Sequence, residues 1–217
     1  MLVSHLKRFI YTKTMKTAST SLEVYFEPYC MFPGEWKFQH ERQEYRTGAG
    51  IVGCRNGSLM VVQSSIWWNH MPAASIKAML GKELWDSYFK FCSVRNPFDK
   101  LVSAFHFFNP AAADSANLVQ DFENWLLAGD LPYDRNKYTI DGEFCMDDVI
   151  RYETLTEDLR RICRQIGAEF ELEKLSALKA GKRPKRPLTD YYSKDSVAIV
   201  NRLFKYELDT FGYQFPA

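Results

Sequence analysis

A lysine followed by small and hydroxyl-bearing residues, Lys16, Thr17, Ala18, Ser19, Thr20 and Ser21, is the stretch of this sequence best equipped for chemistry. It lies between an aromatic and β-branched run at 9–12, which predicts a strand, and a run at 19–26 of helical character. A strand that turns into a helix through a cationic, hydroxyl-rich loop suits phosphate binding. The helix start offers backbone N–H groups without intrahelical partners and the positive end of the dipole. Thr17, Ser19, Thr20 and Ser21 would add hydroxyl donors, and Lys16 a mobile positive charge. A well-capped helix with a solvated lysine has the same local signature, because hydroxyl residues are common at helix starts.

A second segment of the same kind follows. Residues 88–94 are aromatic and apolar and predict a buried strand, which ends at Arg95, Asn96 and Pro97. Pro97 suits the first position of a helix, and Leu101, Val102, Phe105 and Phe108 then recur at helical spacing. Arg95 therefore stands at a strand end and Ser103 on the following helix. Arginine presents a planar fork of donors suited to phosphate, and a serine hydroxyl two turns along would complete a site. An arginine capping a sheet edge and a serine packed within a helix would look alike taken singly. Two strand–loop–helix anion sites in one chain are harder to ascribe to capping.

Together these segments resemble the sulfotransferase superfamily. Residues 16–22 resemble its first motif, which binds the 5′-phosphosulfate of 3′-phosphoadenosine-5′-phosphosulfate (PAPS). Residues 95–105 match its second motif, which binds the cofactor's 3′-phosphate, including the step from Arg95 to Ser103. Tyr152, Glu153, Thr154 and Leu155 resemble the segment near the adenine, and the tail at 191–215 resembles the carbohydrate branch. The matches occur in order over nearly the whole chain. The resemblance implies an α/β, P-loop-like three-layer fold with a largely parallel central sheet flanked by helices. It implies PAPS as sulfuryl donor and a small-molecule or glycan acceptor, and no metal is expected, because the four histidines lie far apart in the sequence without metal-ligand spacing. Lys16 would stabilise the oxygen between sulfur and phosphate, where negative charge builds as the bond breaks. Backbone N–H groups from Thr17 to Ser21 would hold the 5′-phosphate, and Arg95 and Ser103 the 3′-phosphate. Arg183, Lys185 and Arg186 cluster in a late basic loop, and the resemblance brings Arg186 into the site.

The acceptor hydroxyl needs a base. His70, in the run Trp67, Trp68, Asn69, His70, is the first choice, because its placement resembles the catalytic-histidine region of the 2-O-sulfotransferase-like branch. With an ordinary pKa of about 6.5, it would lose activity as pH falls below that value. A structural histidine beside two tryptophans is the competing account. His40, Glu41 and Glu44 are rival bases, while His5 and His106 are less well placed. Two other classes of function stay open. A nucleotide-dependent kinase with a degenerate phosphate loop would need GxxxxGK[ST], which is not present. Lys16 together with a base speaks against a non-catalytic nucleotide- or glycan-binding protein, which binding without turnover would favour. Trp36, Phe38, Trp67, Trp68 and Trp85 would offer sugar-stacking faces, although aromatics more often fill cores.

The elements that must position these groups alternate. Strand 9–12 leads to helix 19–26, and an irregular stretch covers 28–48. A hairpin is expected over 50–63, turning at Asn56 and Gly57. A helix over 73–80, extending towards 85, precedes strand 88–94 and helix 97–108. Then come helix 118–128, a polar loop 129–145, strand 148–152 and helix 155–166, and a helix at 194–204 closes the chain. Such alternation argues for an α/β fold. At 217 residues one domain is expected. A formal net charge of +1 gives no global attraction to nucleic acid or an anionic membrane, so any anion site must be local. Five scattered cysteines, without a CxxC pair, suggest free thiols in a reducing compartment. No apolar run approaches the length of a signal core or membrane span, and a cytoplasmic protein without stalk or anchor is expected. The sequence does not tell the oligomeric state.

Overall fold

Aromatic and β-branched residues build the centre of a six-stranded sheet in the computed structural model, which describes residues 1–55, 64–175 and 186–216. The strands are β1 (Leu2–Ser4), β2 (Phe9–Thr12), β3 (Tyr45–Thr47), β4 (Gly50–Val52) and β5 (Phe89–Val94). A small hairpin of β6 (Thr139–Ile140) and β7 (Glu143–Phe144) precedes the last strand of the sheet, β8 (Asp148–Arg151). The order across the sheet is β3-β4-β1-β2-β5-β8. All four residues of β2 are buried, as a central strand requires.

The sheet is mixed, which corrects the expectation of a largely parallel one. Strands β2, β5 and β8 run parallel, while β1 with β2, β1 with β4, and β3 with β4 pair antiparallel. Parallel neighbours need long crossovers, and the helical segments supply them. The antiparallel strands are joined by tight reversals. The hairpin expected over 50–63 is also corrected. Ile51 pairs with Arg46 on one side and with Val3 on the other, so both edges of β4 are taken. The hairpin partner of β4 is β3, through Gly48 and Ala49. Gly50 allows this close packing, since a Cβ there would lie 2.2 Å from the Val3 carbonyl. Residues 56–63 lie outside the described residues.

The chain divides into two compact units, Met1–Val94 with Asp134–Leu178, and Arg95–Tyr133 with Lys179–Ala217. The first holds the sheet. Helix α1 (Ser19–Phe26) covers one face with Leu22, Tyr25 and Phe26, spaced i, i+3, i+4. Helices α2 (Ala73–Leu80) and α3 (Lys82–Ser87) divide at Gly81, whose φ of 83° ends the first. Trp85 of α3 lies 6.0 Å from the Lys90 ammonium. Lys90 alternates with Phe89 and Phe91 along β5, so α3 lies over the face opposite α1.

In the second unit, α4 (Pro97–Phe108) begins at Asn96, whose side chain accepts from the Phe98 N–H, with Pro97 in the first turn. It packs with α5 (Leu118–Ala128) through Leu101, Phe105, Phe122 and Leu126. Back in the first unit, the expected polar loop over 129–145 contains α6 (Arg135–Tyr138) as well as the β6–β7 hairpin. Asp141 and Gly142 both have positive φ there, as a two-residue hairpin turn demands. Helix α7 (Leu155–Gln165) follows β8 and drives Leu159, Ile162 and Cys163 into the cluster that also holds Phe9, Tyr11 and Phe91.

The second unit closes with α8 (Lys194–Leu203), entered through a capping box of Ser193 and Ser196, and α9 (Lys205–Phe211). The helix expected to close the chain at 194–204 is therefore followed by another. All five cysteines are free thiols. Among the described residues no helix is long and apolar enough to cross a membrane.

Candidate functional site

Between β2 and α1 the main chain takes a path that L-residues disfavour. Lys16 and Ala18 both adopt left-handed conformations, with φ of 60° and 58°. Each costs about 1–2 kcal/mol for a residue with a Cβ. Left-handed residues at two of three consecutive positions curl the chain, the kind of path whose amides converge on an anion. Ala18 is the N-cap of α1 and provides no side-chain cap. The first helical amides thus lack the local acceptor that a serine or aspartate would give.

The hydroxyls of this loop correct one expectation. Thr17 and Ser19 are buried and turned inward. The Thr17 hydroxyl lies 2.8 Å from those of both Thr14 and Ser93, and Thr14 donates to the Ser93 carbonyl at 2.6 Å. Ser19 donates to the Thr14 carbonyl at 2.5 Å. These two hydroxyls brace the loop from within. Ser93, fully buried on β5, is the hub of this bracing and also meets the Tyr11 hydroxyl at 3.1 Å. Nothing in the sequence marks it as part of the loop. Its one sequence signal is that of a small hydroxyl residue inside an aromatic strand.

The structure brings His70 to the same loop. Gly53 lets the Trp68 main chain pack directly upon it, since a Cβ would lie 2.8 Å from the Trp68 carbonyl carbon. Hydrogen bonds from Cys54 to Trp67 (2.8 Å) and from Asn69 to Cys54 (2.9 Å) hold the run beside β4. His70 Nδ1 donates to the Lys13 carbonyl at 3.1 Å. A carbonyl only accepts, so this bond fixes the tautomer and leaves Nε2 as the lone-pair nitrogen. Burial, reinforced by the Lys13 charge, lowers the His70 pKa to about 4, with Asp134 opposing the drop. The ordinary pKa of about 6.5 expected for this group is corrected accordingly, because an imidazole enclosed in this way stays neutral well into acid.

Beneath the loop lies a buried cluster of charges. Lys13 pairs with Glu23 at 2.6 Å, and Arg55 with Glu23 at 2.9 Å and with Glu27. Burial alone would raise the Glu23 pKa, but Lys13 and the other cations hold it at about 2. Arg42 joins Glu27 at 3.3 Å, and the Trp36 indole donates to Glu27 at 3.1 Å. Arg55 also donates to the Gln39 carbonyl at 2.7 Å and the His40 carbonyl at 3.3 Å, and Arg42 to the Lys37 carbonyl at 2.8 Å. The irregular stretch after α1 is thereby tied to the helix that opens at Ser19.

The remaining predicted residues fall as follows. Thr20 is half-buried and Ser21 buried on the first turn of α1. Tyr152 lies just past β8, its amide bonded to the Val94 carbonyl at 2.8 Å. In the second unit, Arg95 is gripped by Asp99, with Nε at 2.7 Å and Nη2 at 2.6 Å from one carboxylate oxygen. Ser103 is half-buried two turns into α4, and Arg186 is exposed. Residues 183 and 185 lie outside the described residues. Of the rival bases, Glu44 is committed to the Ile66 and Trp67 amides at 2.6 and 2.8 Å, while His40 and Glu41 are exposed. His5 meets the Tyr88 hydroxyl, and His106 is buried against Tyr191. Trp67 and Trp85 belong to the core, whereas Phe38 is 52% exposed and remains available to a ligand.

The model of the Sulfotransferase family matches residues 1–214 of the chain. An uncharacterized protein of Archaeoglobus fulgidus is 31% identical over 109 residues, which are 48% of this chain and 88% of that protein. No solved structure gives a significant match.

Proposed function

The chain belongs to the sulfotransferase family, and from that premise we propose that it moves a sulfuryl group from PAPS to a hydroxyl, on a carbohydrate acceptor, within a single P-loop-like three-layer domain. The observation that carries this reading is the left-handed loop at Lys16 and Ala18, tied through Lys13 to a neutral histidine. The loop fits an anionic donor, because its curled main chain and uncapped helix start offer amides and Lys16 adds charge.

PAPS supplies a sulfuryl group already bonded to a phosphate leaving group. Lys16 places positive charge where the leaving oxygen gains negative charge. The amides from Thr17 to Ser21 orient the 5′-phosphate. Arg95 and Ser103 take the 3′-phosphate by their resemblance to the second motif, and Tyr152 and Arg186 complete nucleotide binding on the same ground. Holding Arg95 in the Asp99 grip orients its guanidinium before any ligand arrives. His70 Nε2 accepts the proton of the acceptor hydroxyl, while the bond from Nδ1 to Lys13 keeps the ring aimed.

Calorimetry with 3′-phosphoadenosine-5′-phosphate (PAP) and with 5′-AMP tests the donor assignment. PAP should bind about 10- to 100-fold more tightly, as one charge-assisted phosphate contact provides. Arg95→Ala should erase most of that difference. Equal affinity for the two nucleotides in the wild-type protein would overturn the reading. Transfer itself is followed by mass spectrometry of candidate acceptors incubated with PAPS.

A further inference from the structure

Asp134 is almost wholly buried, at 1% exposed, yet it stands at the start of α6, a position where aspartate ordinarily caps its own helix. It makes no such cap. Its Oδ2 instead accepts the Met15 N–H at 2.8 Å, across 119 positions of sequence. Met15 directly precedes Lys16, the first of the two left-handed residues. A main-chain path of this kind persists only where its surroundings over-determine it. The hydroxyls of Thr14, Thr17 and Ser93 brace the loop from the sheet side. Asp134 is the carboxylate that fixes the approach to Lys16. A buried negative charge beside an anion loop works against anion binding, so its presence calls for a compensating role.

We propose that Asp134 is a positioning residue for sulfuryl transfer, holding the Met15 amide so that Lys16 and the amides after it keep their anion-binding path. The inference rests on the reading of this loop as the 5′-phosphosulfate site. The carboxylate has a second effect on the base. Lys13, at the end of β2, and the Met1 amine disfavour protonation of His70, whereas Asp134 and Glu23, on α1, favour it. Asp134 thus eases formation of the imidazolium when His70 takes up a proton.

The two contributions separate by substitution. Asp134→Asn keeps an acceptor for Met15 and removes the charge, while Asp134→Ala removes both. Amide hydrogen exchange over residues 14–19 of the free protein, PAP affinity and the pH dependence of kcat/KM form the readouts. In the wild type the Met15 amide should be protected. Asp134→Ala should abolish that protection and weaken PAP about tenfold or more, the loss of one charge-assisted bond. Asp134→Asn should restore PAP affinity to within about threefold, yet move the acid limb of kcat/KM to lower pH. Wild-type exchange and PAP affinity in Asp134→Ala would overturn the proposal. So would an unprotected Met15 amide in the wild-type protein, which decides the matter even if the alanine variant fails to fold. If the wild type binds no PAP while Met15 exchange still responds to Asp134→Ala, the donor assignment falls and the anchoring of the loop stands.

Discussion

Ala18→Gly tests the loop geometry most directly. Ala18 has φ 58° and ψ 16°, inside the left-handed region. An alanine there costs about 1–2 kcal/mol relative to the right-handed conformation, and glycine carries no such cost. Glycine also has more freedom in the unfolded chain, which returns about 0.4–1 kcal/mol to that state. The difference predicts that Ala18→Gly stabilises the folded protein by about 0.5–1 kcal/mol, or about 1–4 °C in Tm for a chain of this size. A β-branched residue is a worse occupant of the same conformation, so Ala18→Val should lower stability by about 1 kcal/mol or more. Urea and thermal melts of the three proteins measure both effects. Because glycine accepts the existing path, PAP affinity should stay within about threefold of the wild type. The contrary result is an Ala18→Gly protein about 1 kcal/mol less stable, as glycine is within an ordinary right-handed helix. That would show that the loop does not hold residue 18 in the left-handed region, and the amide cradle built on it would be lost.

Lys16→Ala should lower kcat by about 10²–10³, with PAP affinity falling much less, if its charge acts on the leaving oxygen; steady-state kinetics beside calorimetry measure the split. The acid limb of kcat/KM that reports His70 should lie near pH 4 in the free enzyme, where its lowered pKa falls, and His70→Ala should abolish transfer while sparing PAP binding. The folded His70 binds fewer protons than the unfolded one between about pH 6.5 and 4, so this group lowers stability as pH falls through that window, by about 3 kcal/mol in all; in melts across the window the stability of wild type relative to His70→Ala should fall by that amount between pH 6.5 and 4. Glu23→Gln should cost about 3–5 kcal/mol in urea unfolding, since Lys13 and Arg55 would stay buried with less compensation. The Glu23 contribution has its own pH signature: its folded pKa is depressed to about 2, so the stability it provides is present above about pH 4.5 and lost as pH falls towards 2.

What the sequence revealed followed the strength of its local signals. Helices at 19–26, 97–108 and 118–128 were legible to the residue, since apolar spacing agrees there with strong stops and starts such as Asn96 with Pro97 and Gly129. Strand β1 is not legible in the sequence, because three residues, Leu2–Ser4, are too few to show a period. The hairpin lies one strand earlier than its turn signal suggests. Asn56 with Gly57 is a stronger local turn signal than Gly48 with Ala49, but pairing on both edges of β4 is a tertiary fact. The site divided in the same way. A cationic loop between a strand and a helix is a one-dimensional pattern and could be read. The inward turn of Thr17 and Ser19 depends on Ser93 arriving from another strand, and the low pKa of His70 depends on burial. Asp134 was hidden most thoroughly, because its sequence context is that of a plain helix cap.

The ties that hold the stretch after α1 are blind to side-chain identity over much of their length. Arg55 and Arg42 reach the carbonyls of Gln39, His40 and Lys37, and these are main-chain atoms that every amino acid possesses. The side chains at 37, 38, 39 and 40 all lie exposed. Substitutions at 37, 38 and 39 therefore alter the surface beside the loop without removing the carbonyls that Arg42 and Arg55 hold. Anchorage and surface chemistry are decoupled, so a lineage or a mutagenesis library can explore new chemistries at this edge while the loop before α1 and its buried charges stay as they are.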